Sequence, residues 1–69
     1  MKVFKIKARY GRGEMTCKML IAANCLSGAK LMANKECPVP VMSIKNDIEA
    51  SEIKGLTFNS RLPILITRV

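Results

Sequence analysis

Apolar and polar positions alternate along residues 2–10, KVFKIKARY: Phe4, Ile6, Ala8 and Tyr10 fall in one phase, Lys5, Lys7 and Arg9 in the other. A period of two with β-branched and aromatic members predicts a half-buried strand. Gly11-Arg12-Gly13 follows and supplies the backbone freedom of a tight reversal.

Residues 14–34 fit two periods. Met15, Met19, Ala22, Leu26, Ala29 and Ala33 recur at helical spacing, which would make one long amphipathic helix from 15 to 34. Alternatively, residues 15–23 form a second strand that pairs back on the first, and a shorter helix, roughly 25–35, begins at Asn24 or Ser27. The short glycine-rich connection favours the hairpin. Ser27-Gly28 also sits better in the first turns of a helix than in the middle of one.

Glu36-Cys37-Pro38-Val39-Pro40 ends the helix in either case, because each proline restricts itself and its predecessor to extended backbone. Residues 41–48 alternate again and predict a strand. Residues 50–54 read as a loop or a single helical turn, Gly55 as punctuation, and Leu56-Thr57-Phe58 as a short strand. Leu62 to Val69, LPILITRV, is apolar and β-branched enough for a final strand, with Pro63 before its ladder or at an edge. That strand is expected at the centre of the sheet, covered by the helix. At an edge it would invite pairing with another chain.

The pattern therefore gives one domain, residues 1–69, of the α+β class: a small, mostly antiparallel sheet in β-β-α-β-β order with one helix packed on one face. Expected core residues are Phe4, Ile6, Ala8, Met19, Leu26, Ala29, Met32, Ile44, Ile48, Phe58, Ile64 and Ile66.

Charge adds direction to this picture. The formal net charge is +7. All of it belongs to residues 1–35, where Lys2, Lys5, Lys7, Arg9, Arg12, Lys18, Lys30 and Lys35 are opposed by Glu14 alone. In residues 36–69, Lys45, Lys54, Arg61 and Arg68 cancel Glu36, Asp47, Glu49 and Glu52. Such segregation implies one positive face and an acidic or polyanionic partner. If residues 2–10 are a strand, Lys5, Lys7 and Arg9 follow one another about 6–7 Å apart, a spacing that can track a phosphate backbone. Lys2 and Arg12 would extend the row, and Lys18 would join it if the second strand presents that face. The competing explanation is a solvated strand face kept charged for solubility. With Tyr10 in the core phase, no stacking platform of the RNA-binding type is expected.

Other chemistries find little support. The chain has no histidine, and Cys17, Cys25 and Cys37 lack metal-ligand spacing, so neither a metal nor another cofactor is expected. The cysteines read as small, partly buried hydrophobes in a reducing, cytoplasmic setting. Gly11-Arg12-Gly13 lacks the third glycine and the Lys-Ser/Thr ending of phosphate-binding loops. No pair of carboxylates is placed about a common cleft, and an enzyme is not expected. Neither a secretory leader nor a membrane span is expected: Met1-Lys2 leads straight into alternation, and the apolar run Met19 to Ala23 is too short to cross a bilayer. The expected role is a non-catalytic accessory protein that binds DNA or RNA through backbone phosphates. The alternative is a protein-interaction or homodimerising module that uses the C-terminal strand as an edge and has no nucleic-acid role.

Overall fold

The computed structural model describes residues 1–10, 15–36 and 47–69, with the backbone alone for Tyr10 and Asp47. Strand β1 (Lys2–Tyr10) and strand β2 (Met15–Ala23) form the hairpin, and helix α1 (Leu26–Glu36) follows. Strands β3 (Asp47–Thr57) and β4 (Ile64–Arg68) complete a four-stranded antiparallel sheet of order β3-β1-β2-β4. The hairpin is thus the centre of the sheet, and the two later strands are its edges. The single helix from 15 to 34 does not form.

Period two sorts the side chains of the hairpin. Phe4, Ile6 and Ala8 stand opposite Ile21, Met19 and Cys17 and face α1. Beside them on β3, Ile48 pairs with Ala8 and Ala50 with Ile6. The helix contributes Ala29 and Ala33, both fully buried, with Met32 packed alongside. Alanines one turn apart on the buried stripe let the helix backbone come close to the sheet, and Ile6, Met19 and Ile21 supply the volume beneath. Burying each such side chain contributes about 1.5–3 kcal/mol.

Several expectations about the core change. Leu26 lies in the first turn of α1 and is 45% exposed, so it is not core. Phe58, Ile64 and Ile66 are only half-buried, whereas Val3, Ile21, Ala22, Ala23 and Ala33 are buried. Val3 and Ala22 pair with each other on the face turned away from α1, so the sheet is apolar on both faces at this end. Ile44 lies outside the described residues.

The strand expected over 41–48 is, where described, a longer one beginning at Asp47, and residues 50–54 are part of it rather than a loop or helical turn. Residues 41–46 lie outside the described residues. Gly55 interrupts β3 without ending it. Between the pairs Phe4–Glu52 and Lys2–Thr57, Val3 on β1 is matched by Ile53, Lys54, Gly55 and Leu56 on β3. Gly55 takes φ 82° in this irregularity. Past it, Phe58 donates its N–H to the Met1 carbonyl at 2.8 Å, and the Met1 amino group donates to the Phe58 carbonyl at 2.9 Å. A Cβ added to Gly55 would meet nothing within 4 Å, so its cost is conformational only. Gly55→Ala is therefore expected to lower stability by about 1 kcal/mol with no change in the denaturant slope, measured by urea unfolding.

Strand β4 is an edge, not the centre. It pairs with β2 alone, from Met19–Arg68 to Ala22–Ile64, with Ile66 as the extra residue of a bulge. Pro63 precedes it, as its missing N–H requires. Arg68 ties this edge to the helix. Its Nη2 lies 3.1 Å from both the Glu36 carbonyl and Glu36 Oε2, and its Nη1 lies 3.7 Å from Cys17 Sγ. A guanidinium donating to a carbonyl at the end of a helix satisfies a group the helix leaves without an internal partner. Being largely exposed, the ion pair contributes at most about 1 kcal/mol.

Candidate functional site

Because β1 is central and alternates in polarity from Phe4 onward, the phase opposite Phe4, Ile6 and Ala8 presents Lys5, Lys7 and Arg9 on the face turned away from α1. Lys5 and Arg9 are exposed and Lys7 is half-buried. On β2 the register sets Lys18 directly across from Lys7, and Lys18 is exposed. The condition attached to Lys18 is met: the second strand forms and presents it beside the row. Two like charges directly opposite are unfavourable in a sheet, and their placement here makes a focus of positive potential rather than a stabilising pair.

Lys2 does not join them. It shares the phase of Phe4, on the helix side, and its Nζ lies 3.8 Å from Glu52 Oε1. Arg12 lies outside the described residues. The site is therefore Lys5, Lys7, Arg9 and Lys18, over β1 and β2.

Strand β3 adds a feature that the sequence reading did not place. Glu49 pairs with Lys7, and Asp47 with Arg9. The exposed Glu49 thus flanks the basic row on the β3 side, while Thr67 of β4 stands beside Leu20 on the other. Lys5, Lys7, Glu49, Ala50 and Ser51 line a shallow depression of about 310 Å³ between β1 and β3. The positive strip is consequently one to two strands wide, bounded by Glu49 on one side and neutral on the other. The alternation of Asp47 and Glu49 with Ile48 and Ala50 was the signal for this flank, obscured by the polar residues that follow.

Of the cysteines expected to be partly buried hydrophobes, Cys17 is one and Cys25 is not, while Cys37 lies outside the described residues. Cys17 is half-buried in the core margin, but Cys25 is exposed, and both are free thiols. Cys25, rather than Asn24 or Ser27, precedes the first turn of α1: its carbonyl accepts the Ala29 N–H at 3.0 Å, and its Sγ lies 3.2 Å from Ser27 Oγ. The Cys25 thiol is drawn below its ordinary pKa by the Ser27 hydroxyl first and the Gly28 backbone N–H next, with a lesser contribution from Lys2. Among the described residues no group of three or more His, Cys, Asp or Glu side chains is placed to hold a metal. No helix among them is long and apolar enough to cross a membrane.

Comparison of the chain with protein families, curated proteins and solved structures returns no match. The functional reading rests on the residues and their placement.

Proposed function

We propose that the protein is a non-catalytic nucleic-acid-binding module that grips backbone phosphates with Lys5, Lys7, Arg9 and Lys18. The observation that carries this reading is the β1–β2 register, which adds Lys18 to the row on the face free of the helix. Consecutive row residues about 6–7 Å apart can engage neighbouring phosphates, and nothing on the strip reads base edges, so binding is independent of sequence. Glu49 on β3 restricts the contact to the β1–β2 side.

Fluorescence anisotropy with mixed-sequence duplex and single-stranded oligonucleotides, over a series of salt concentrations, tests this. Four phosphate contacts predict a plot of log K against log salt with a slope of about −3 to −4, the same for unrelated sequences. An absence of binding at low salt removes the proposal.

A further inference from the structure

The two edges of the sheet are built differently. Edge β3 carries Asp47, Glu49, Glu52 and Lys54, and its straight run is broken at Ile53–Leu56. Both features discourage another strand from adding there. Edge β4 is interrupted by one extra residue, Ile66, against four on β3, and it has one charged residue, Arg68, whose guanidinium is drawn onto Glu36 of the helix. Among the described residues no strand pairs with the outer side of β4.

The hydrogen-bonding direction at that edge can be read directly. Arg68 pairs with Met19 while the N–H of Val69 donates to the Lys18 carbonyl at 3.0 Å. The Arg68–Met19 pair is therefore the non-hydrogen-bonded kind, and the Arg68 N–H and C=O point outward. The Thr67 hydroxyl donates to that carbonyl at 3.2 Å, which leaves it a second lone pair. At the two ends of the strand stand Leu62, 71% exposed, and Val69, 82% exposed. Leu62 is held in place by the Ser60 hydroxyl, which donates to its carbonyl at 2.6 Å.

We propose that β4 pairs antiparallel with β4 of a second copy to form a closed dimer with a continuous eight-stranded sheet. The occupant is a copy of this chain because the edge is self-complementary. It is neutral apart from a neutralised arginine, and it is apolar at both ends, so antiparallel pairing brings Leu62 of each chain toward Val69 of the other. The basic row lies one and two strands inward, so two chains of net charge +7 meet along their least charged rim. Pairing of β4 with β3 of a copy would meet the broken, charged edge and would propagate without closing.

Two identical strands side by side and antiparallel are related by a two-fold axis normal to the sheet. Both helices then lie on one side and both basic rows on the other. The two Lys18 positions fall three strand spacings apart, about 14 Å across the strands, and, with the axis near Ile66, about 20 Å apart along them. The dimer stands without the nucleic-acid reading, whereas the doubled phosphate-binding surface rests on it.

Sedimentation equilibrium of the full chain, from low micromolar to several hundred micromolar at 0.05 and 0.5 M salt, tests the pairing without nucleic acid. The expected mass rises from 7.6 kDa to twice that value and no further. Salt strengthens the association by screening the two positive chains, opposite to its effect on phosphate binding. Changing Leu62→Lys and Val69→Lys together, both on exposed side chains, weakens the dimer by about tenfold or more and leaves the circular-dichroism spectrum unchanged. The Arg68 amide exchanges slowly with deuterium only at concentrations where the dimer forms. A monomer throughout, growth beyond a dimer, or concentration-dependent protection on β3 instead of β4 overturns the proposal. A dimer that ignores oligonucleotides keeps the pairing and removes the phosphate reading; a monomer that binds them does the reverse.

Discussion

Replacing Lys5, Lys7 and Arg9 together by glutamine lowers the affinity for a mixed-sequence duplex at least about a hundredfold at low salt and flattens the salt slope to about −1, the single contact left at Lys18. Glutamine is the sharper choice than glutamate. The register sets Lys7 against Glu49 and Arg9 against Asp47, so charge reversal would place like charges directly opposite on β1 and β3. Each such pair costs about 0.2–1 kcal/mol and would mix unfolding with lost binding. With glutamine the strand keeps its polar face, and the thermal midpoint reports whether the fold survives. Glu49→Gln gives the opposite sign: removal of the carboxylate beside Lys7 tightens binding by about two- to threefold. Equal affinity in the triple variant, with the fold intact, would remove this face from the proposed function.

Ile6→Ala is expected to cost about 2–5 kcal/mol in urea or thermal unfolding. Ile6 is fully buried, on the central strand, between Met19 of β2 and Ala50 of β3, and under the helix. Its small neighbours, Ala50, Ala29 and Ala33, have little side chain with which to close the space. A chain of this length has a total stability of roughly 3–10 kcal/mol, so the variant loses a large fraction of it. Met19→Ala, opposite Ile6, is expected to fall in the same range. The double variant should cost less than the sum, because the two side chains share one cavity. Strict additivity would mean that the two residues do not pack together.

The N-terminal half was legible because two independent signals agree there. Alternation over residues 2–10 marked β1; residues 15–23 also fitted a helical period, and the glycine-rich reversal favoured the hairpin that forms, with the helix beginning one residue later than expected. The second half was less legible because β3 is an edge whose inward side chains are only Ile48 and Ala50 before the irregularity. Half-buried alanine among acids resembles a solvated loop when no partner strand is in view. The position of β4 was misjudged for a related reason. Its apolar composition suggested cover on both sides, but the central places were already taken by the hairpin. Of the site, the β1 row follows from phase alone. The same phase separates Lys2 from it, a distinction the even numbering already contained. Lys18 required the hairpin register, and Glu49 required the pairing of strands separated by the whole helix, which local pattern does not specify.

The strand order also bears on folding, because local contacts form at the least entropic cost. The hairpin and the helix that covers it are contiguous in the chain, so the central pair and its apolar lid assemble from local contacts as the chain emerges. Each flank of that nucleus is closed by a strand from the second half of the chain, β1 by β3 and β2 by β4, at similar sequence separations: Ile6 pairs with Ala50 and Leu20 with Thr67. Until β4 arrives, β2 offers an unpaired flank bearing Leu20 and Ile21, and a nascent neighbour's strand competes for it. The five residues of β4 thus decide between a four-stranded sheet completed within one chain and the capture of β2 by a strand of another.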